Sequence, residues 1–364
     1  PPPRGELRLV STIQKALDGE GKRSADHLLA FRTWGTFSLL VKKYPLGPRE
    51  VEELKDFCGR MRFDLVYYPG ISAAEANRYN RFPRPVYYES VQSLLKEGEG
   101  FYSRYPFDLS PSTDDRPFFH SFFRWKFGEE IYRLAGEKWQ ILLEGGFLVS
   151  VVFTLALFLS LLFILLPLLL RRRSEKETAG GAPPASLIYF SALGLGFMFL
   201  EISLIEKFIL FLGHPIYSVS LVIFSLLVSA GAGSRFSLRL EVSSSRGLRV
   251  LLFLLCGLII LSAALYPRAL SLFQGSPPVI RWALTWALIM PLGFFLGMPF
   301  PLGIRMVGLK NPLWIPWGWC ANGCASVCGA ILPVLIAQAW GFQTVFFLAA
   351  LCYGLAFLAV SKWS

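Results

Sequence analysis

The spacing of hydrophobic positions changes near Trp139 of this 364-residue chain. Before that residue, apolar positions recur at helical or strand spacing. After it they merge into runs of about 20 residues, the length needed to cross a bilayer. We interpret these runs as seven spans: Gly146–Leu170, Leu187–Leu212, Ile216–Ala232, Val250–Tyr266, Trp282–Leu302, Ile315–Ala337 and Thr344–Val360. The pattern therefore predicts an all-α bundle of about seven transmembrane helices over residues 146–364.

The first part of the chain has the pattern of a small α/β domain. Apolar residues at helical spacing predict an amphipathic helix over Arg4–Leu17. Beyond it, the pattern predicts a β-hairpin, a second helix and a short strand, over His27–Trp34 with Phe37–Tyr44, Pro48–Arg62 and Asp64–Tyr68. The segment Phe118–Trp139 is aromatic and basic, which is typical of residues at the level of lipid headgroups. We therefore expect a domain over 1–110, an aromatic junction over 111–145 and the transmembrane domain over 146–364.

Charge predicts an orientation for the transmembrane domain. Before Trp139 the chain has 22 Lys and Arg against 19 Asp and Glu, and from Trp139 onward it has 14 against 6. Most of this basic excess lies in short loops between spans, so it indicates orientation and no nucleic-acid partner. Eleven basic residues share one side of the predicted bundle: Arg171, Arg172, Arg173, Lys176, Arg235, Arg239, Arg246, Arg249, Arg305, Lys310 and Lys362. Only Lys207, Arg268 and Arg281 fall toward the other side, which predicts a cytoplasmic C-terminus and a first domain outside the cytoplasm.

Ionisable residues stand inside the stretch Gly194–Gly233, which we interpret as two spans joined by a tight turn. Glu201 lies near the middle of the first of these spans, and Glu206 and Lys207 follow closer to its end. Ionisable groups are costly in hydrocarbon and usually face a protein interior or a water-filled cavity. Two interpretations of Glu201 stay open: a carboxylate that binds a proton, cation or amine, and a buried carboxyl bonded to a facing helix. With Asn322 of the sixth span, these three residues are our candidates for lining a substrate or ion cavity.

Two other groups of polar residues have a chemical and a structural interpretation. Asp114 and Asp115, which precede Arg116, could supply metal ligands or an acid/base pair, but adjacent Asp residues also form turns and helix caps. We interpret them as a junction anchor. Three cysteines share one face of the sixth span, at Cys320, Cys324 and Cys328. Their spacing matches no common zinc or iron–sulfur pattern, so we expect a packing face there and no metal site.

Proline and glycine interrupt the fifth span around Pro291, Pro299 and Pro301. Interrupted helices occur at the binding sites of transporters. They also occur as plain kinks whose backbone groups are satisfied by neighbouring helices. Both interpretations stay open from the sequence.

Several segments together resemble one protein family: PPRGELRLVSTIQKAL, HLLAFRTWGTFSLLVKKYPL, FDLVYYPG, EANRYN, TDDRPFFHSFF and GLGFMFLEISLIEKFILFLGHPIYSVSL. They are similar to the membrane-integrated spermidine-synthase-like proteins of bacteria, which are polyamine aminopropyltransferase-like domains fused to transmembrane helices. The resemblance implies that residues 1–110 are the end of a class I methyltransferase-like Rossmann domain. It also implies a bacterial inner-membrane location, a polyamine substrate, and S-adenosylmethionine or its decarboxylated form as cofactor. The charge bias, and not the resemblance, predicts that the first domain lies in the periplasm.

The sequence departs from the family at the site of chemistry. The family's glycine-rich turn after the first strand, and its catalytic Asp after the fourth strand, match no position here. We therefore assign no catalytic or cofactor-binding residue in this chain, and interpret it as the C-terminal portion of a transferase-like protein completed by an upstream segment or another membrane subunit. The alternative is a non-catalytic, transporter-like, accessory or structural subunit of a membrane complex, with the lipid bilayer as its main partner.

Overall fold

The computed structural model describes residues 2–135, 147–162, 166, 184–240 and 245–362. The chain forms two compact units. The first comprises Pro1–Thr113 with Pro117–Leu148, and the second comprises Asp114–Arg116 with Val149–Ser364. The segment 111–145, which the sequence predicts to be a junction, thus contributes to both units.

A three-stranded sheet forms the centre of the first unit. Its strands are β1 (Leu28–Arg32), β2 (Phe37–Val41) and β3 (Asp64–Tyr67), in the order β2-β1-β3. Strand β1 pairs antiparallel with both neighbours, from Leu28 opposite Val41 to Arg32 opposite Phe37 on one side. The predicted hairpin and the predicted short strand are confirmed. Because both pairings are antiparallel, this sheet does not itself establish the predicted Rossmann domain, which stays a prediction.

Five helices accompany the sheet: α1 (Gly5–Gly19), α2 (Pro48–Met61), α3 (Val86–Glu97), α4 (Glu99–Arg104) and α5 (Gly128–Ala135). The two predicted helices correspond to α1 and α2. Leu7 and Val10 of α1 pack in one core with Leu28 of the sheet and Leu94 of α3. Cys58 of α2 is buried in that core, and desolvation raises the pKa of its thiol to about 11. This cysteine is therefore a neutral packing residue at physiological pH.

Two buried arginines fix the loops of the first unit. Arg8 of α1 donates to the carbonyl oxygens of Phe118 and Phe119 at 2.7 and 2.8 Å, and pairs with Asp108 at 3.0 Å. Arg32 of β1 lies 3.4 Å from the carboxylate of Asp64. That carboxylate also accepts the backbone N–H groups of Tyr79 and Asn80, each at 2.8 Å. Since buried charges require partners, these contacts account for both arginines as structural residues.

The second unit is a helix bundle. Its helices are α6 (Leu148–Ser160), α7 (Pro184–Leu212), α8 (Pro215–Ser237), α9 (Ser245–Phe273), α10 (Pro278–Leu296), α11 (Pro299–Lys310), α12 (Ile315–Trp340) and α13 (Phe342–Ser361). Among the residues that the structure describes, six stretches are long and apolar enough to cross a membrane, with α10 and α11 together forming one of them. These six confirm the second to seventh predicted spans, and the chain is a multi-pass membrane protein. Within the first predicted span, Gly146–Leu170, the structure has the 13-residue helix α6. Residues 146, 163–165 and 167–170 of that span lie outside the described residues.

Close helix contacts explain the small residues of the bundle. Helix α7 packs against α12 and α13, α8 packs against α10, and α9 packs against α13. A Cβ on Gly233 of α8 would overlap the carbonyl oxygen of Phe294, and one on Gly297 would overlap that of Ala230. Without a hydrophobic driving force between helices in lipid, such backbone proximity supplies van der Waals contact.

The interrupted fifth span is a packed kink. The helix breaks between Leu296 and Pro299, at the point where Gly297 meets α8. The buried hydroxyl of Tyr189 on α7 donates to the carbonyl oxygen of Pro299 at 2.6 Å. Helices α7 and α8 therefore both contact the chain at this break, as neighbouring helices do at a plain kink.

An acidic cavity at one end of the helix bundle

A cavity of about 440 Å³ lies within the second unit. It is formed where α7 and α9 end and α13 begins, together with the segment that precedes Arg116. Its lining residues are Asp114, Asp115, Glu206, Lys207, Leu210, Phe211, Pro267, Leu270, Ser271, Gln274 and Gln343. The basic residues Arg235, Arg305 and Lys362 lie toward the opposite end of the bundle: Arg235 in the last turn of α8, Arg305 in the second half of α11, and Lys362 directly after α13. The cavity thus occupies the less basic end of the bundle.

Asp115 caps the N-terminus of α13. Its carboxylate oxygen Oδ1 accepts the backbone N–H of Gln343 at 2.8 Å, and its carbonyl oxygen accepts that of Phe342 at 3.0 Å. Gly341 precedes the helix with φ +83° and ψ 162°, and a Cβ there would overlap the Asp115 carboxylate. A carboxylate at this position satisfies free N–H groups and interacts favourably with the helix dipole. The cap fixes Asp115 and Gln343 at the wall of the cavity.

Lys207 of α7 reaches the same corner. Its ammonium donates to the side-chain oxygen Oε1 of Gln343 at 2.9 Å and lies 3.8 Å from Oδ1 of Asp115. It also lies 5.4 Å from the ring centre of Phe346, within the range of a cation–π interaction. Only 15% of the Lys207 side chain is exposed. The ammonium is therefore bound by three groups of α13 and its cap.

The cavity has more acidic than basic side chains. Among its described lining residues are the carboxyl groups of Asp114, Asp115 and Glu206 and one ammonium, that of Lys207. Hydroxyl and amide groups of Ser271 and Gln274 add neutral hydrogen-bonding partners. The remaining wall is apolar: Leu210, Phe211, Pro267 and Leu270. This combination suits a small ligand with a cationic group and an aliphatic body.

The structure separates the predicted site residues into two groups. Glu206 and Lys207 line the cavity, and Asp114 and Asp115, which we interpreted as junction residues, join them there. Arg116 belongs to the same short segment of the second unit.

Glu201 and Asn322 are not among the lining residues. Glu201 lies on α7 five residues before Glu206, half-buried. Asn322 of α12 donates from Nδ2 to the carbonyl oxygen of Phe190 at 3.1 Å. Its own carbonyl oxygen would lie 2.5 Å from a Cβ on Gly194. Asn322 therefore supports the contact between α7 and α12.

Sequence reasoning missed the polar side chains that α9 and α13 contribute. Ser271, Gln274 and Gln343 line the cavity. Ser271 and Gln274 lie beyond the predicted end of the fourth span, at the end of a helix that extends to Phe273. Gln343 directly follows Gly341-Phe342, and a glycine before a new apolar run is the signal that could have indicated a helix start needing a cap.

The cysteines of α12 are all partly exposed. Cys324 donates weakly to the carbonyl oxygen of Ser160 at 3.7 Å. Over the described parts of the chain, no three His, Cys, Asp or Glu side chains are arranged to share a metal ion.

Comparison with known proteins adds no relative. No family model, curated protein or solved structure matches the chain. The fold and the cavity define the class: a multi-pass membrane protein with a small α/β unit and an acidic cavity in its helix bundle.

Proposed function

We propose that the helix bundle binds a small organic cation, an aliphatic amine, in the acidic cavity. The observation that carries this proposal is the composition of the described lining, three carboxyl groups and one ammonium beside an apolar wall. A volume of about 440 Å³ falls within the range of small-molecule sites. An ammonium would approach Asp114 and Glu206, while its methylene chain would contact Leu210 and Phe211.

The resemblance to membrane-integrated spermidine-synthase-like proteins supports an amine as the ligand. In that case, a deprotonated polyamine nitrogen would form a bond to the carbon beside the sulfonium centre of S-adenosylmethionine or its decarboxylated form while the bond between that carbon and sulfur breaks. The sulfur would leave as a neutral thioether, and the alkylated nitrogen would release a proton. The first unit would be the end of a Rossmann domain, and the groups that hold the cofactor would be supplied by an upstream segment or another subunit. The cavity would then concentrate the amine rather than perform the transfer.

The position of the cavity favours a second function, capture or transport of an amine without catalysis. The cavity lies at the end of the bundle opposite Arg235, Arg305 and Lys362. By the positive-inside rule, basic loops face the cytoplasm, so the cavity would open toward the periplasm of a bacterial inner membrane. Sulfonium cofactors are cytoplasmic, and an amine bound at the opposite side would serve uptake or sensing.

Calorimetric titration of the full chain in lipid nanodiscs tests amine binding. The probe is 1,4-diaminobutane, and the matched pair of variants is Glu206→Gln and Glu201→Gln, two carboxylates of the same helix of which only the first lines the cavity. Hydrogen bonds to charged groups contribute about 1.5–3 kcal/mol, so we expect Glu206→Gln to weaken binding about tenfold or more. Glu201→Gln should bind like the wild type.

Two results would contradict the proposal. One is the absence of saturable diamine binding to the folded wild-type protein. The other is an equal loss of affinity in Glu201→Gln and Glu206→Gln, which would assign the effect to the charge of α7 rather than to the cavity. Titration with Mg²⁺ and Ca²⁺ provides a further arm, because tighter binding of these ions than of the diamine would replace the organic cation by a metal ion.

A further inference from the structure

The surroundings of the Lys207 ammonium form a complete binding site for a primary amine. A carboxylate oxygen of Asp115, an amide oxygen of Gln343 and the ring of Phe346 surround Nζ at 3.8, 2.9 and 5.4 Å. Charge, a hydrogen-bond acceptor and an aromatic face are the groups that recognise ammonium ions in proteins. Here the ammonium they hold is part of the chain itself.

The three receiving groups are held by contacts that do not involve Lys207. Asp115 accepts the N–H of Gln343 at 2.8 Å, and Gln343 donates from Nε2 to the carbonyl oxygen of Ala263 at 3.2 Å. Phe346 is fully buried between helices. The ammonium site therefore persists when the lysine side chain is removed, and it can receive another ammonium.

We propose that Lys207 is a tethered counter-ion of the cavity, which competes with the ammonium of a bound amine for Asp115 and Gln343. The inference rests on the proposed function and adds regulation to it. While Lys207 occupies its site, two of the three carboxylates, Asp114 and Glu206, remain for the ligand, and the lysine charge repels it. When Lys207 is displaced, Asp115 and Gln343 become available to the amine. The ease of this displacement sets the affinity of the cavity for the amine.

Replacement of the lysine tests this competition directly. Lys207→Met keeps the apolar stem and removes the charge, and we expect it to bind 1,4-diaminobutane about fivefold more tightly than the wild type, equivalent to about 1 kcal/mol. Lys207→Arg keeps the charge and should show no gain. Lys362→Met, on an exposed residue at the end of α13, is the matched control for lost net charge and should also show no gain. Equal or weaker binding by folded Lys207→Met would overturn the inference.

Chemical rescue provides a second test that does not depend on diamine binding. Lys207→Ala leaves the receiving groups without a cation, so ethylammonium should raise its thermal stability in nanodiscs, and tetramethylammonium, which donates no hydrogen bond, should not. Wild type and Lys362→Ala should respond to neither ion.

Rescue without diamine binding in any variant would retain the ammonium site and reject the proposed function. If wild type binds the diamine, but ethylammonium gives no rescue and Lys207→Met shows no gain, the competition by Lys207 is rejected and the proposed function is retained. If Lys207→Met does not fold, Lys207→Gln replaces it in the titration.

Discussion

Gly341→Ala perturbs the corner of the cavity without removing a lining residue. Gly341 has φ +83° and ψ 162°, a region that is essentially restricted to glycine and costs other residues about 1–3 kcal/mol. The new Cβ would overlap Oδ2 of Asp115 and lie 2.9 Å from its Cγ, so the carboxylate must move. Loss of a helix cap costs about 1 kcal/mol. We therefore expect a total destabilisation of about 2–4 kcal/mol.

Reversible unfolding of the full chain in mixed micelles, followed by circular dichroism, measures this loss. Gly354→Ala is the control on the same helix: a Cβ there meets no atom within 4 Å, and alanine should stabilise the helix by up to about 1 kcal/mol. A double-mutant cycle with Asp115→Ala identifies the cause, because removal of the carboxylate should relieve the overlap and make the two losses non-additive. A loss below about 0.5 kcal/mol in Gly341→Ala, or strict additivity in the cycle, would refute the reasoning.

Three further predictions concern packing, acid stability and orientation. Gly233→Ala should destabilise the bundle by about 1–3 kcal/mol because its Cβ overlaps the Phe294 carbonyl. A Cβ on Gly231 meets nothing within 4 Å, so Gly231→Ala should not destabilise it. Equal melting temperatures of the two variants would contradict the contact. The Tyr68 hydroxyl and the Lys55 ammonium lower the pKa of Glu75 from its ordinary 4.5 to about 2, so its contribution to stability is complete above pH 4.5 and disappears as the pH falls toward 2. Glu75→Gln should therefore be less stable than the wild type at pH 7 and melt like it near pH 2. A difference in melting temperature between the two proteins that stays constant from pH 7 to pH 2 would contradict this prediction. Reporter fusions at Ser364 and within residues 174–184 should both be cytoplasmic, and a periplasmic signal from either would invert the orientation or remove a span.

The helices of the bundle could be predicted from the sequence because the signal is local. A run of about 20 apolar residues must satisfy its own backbone in lipid, so length and composition suffice for six of the spans. The ends are harder, since α9 continues past Tyr266 through Pro267 to Phe273. Those extra turns carry the residues that line one wall of the cavity.

The cavity could be predicted only in part because its residues are distant in sequence. Glu206 and Lys207 were recognisable as ionisable residues within a span, but Glu201 gave the same signal and lies outside the lining. At about 1.5 Å per residue, Glu206 lies roughly 9 Å from the end of α7 and Glu201 roughly 16 Å. Asp115 and Gln343, 228 positions apart, are brought together by a helix cap, which no periodicity encodes.

Photo-crosslinking with a diazirine-bearing aliphatic diamine tests the central claim, the presence of an amine in the acidic cavity, most directly. In nanodiscs, we predict labelled peptides from the ends of α7 and α9, at Leu210, Phe211 or Leu270, and loss of that labelling in excess 1,4-diaminobutane and in Glu206→Gln. Labelling confined to other helices, or labelling at these residues that excess diamine leaves unchanged, would contradict the account.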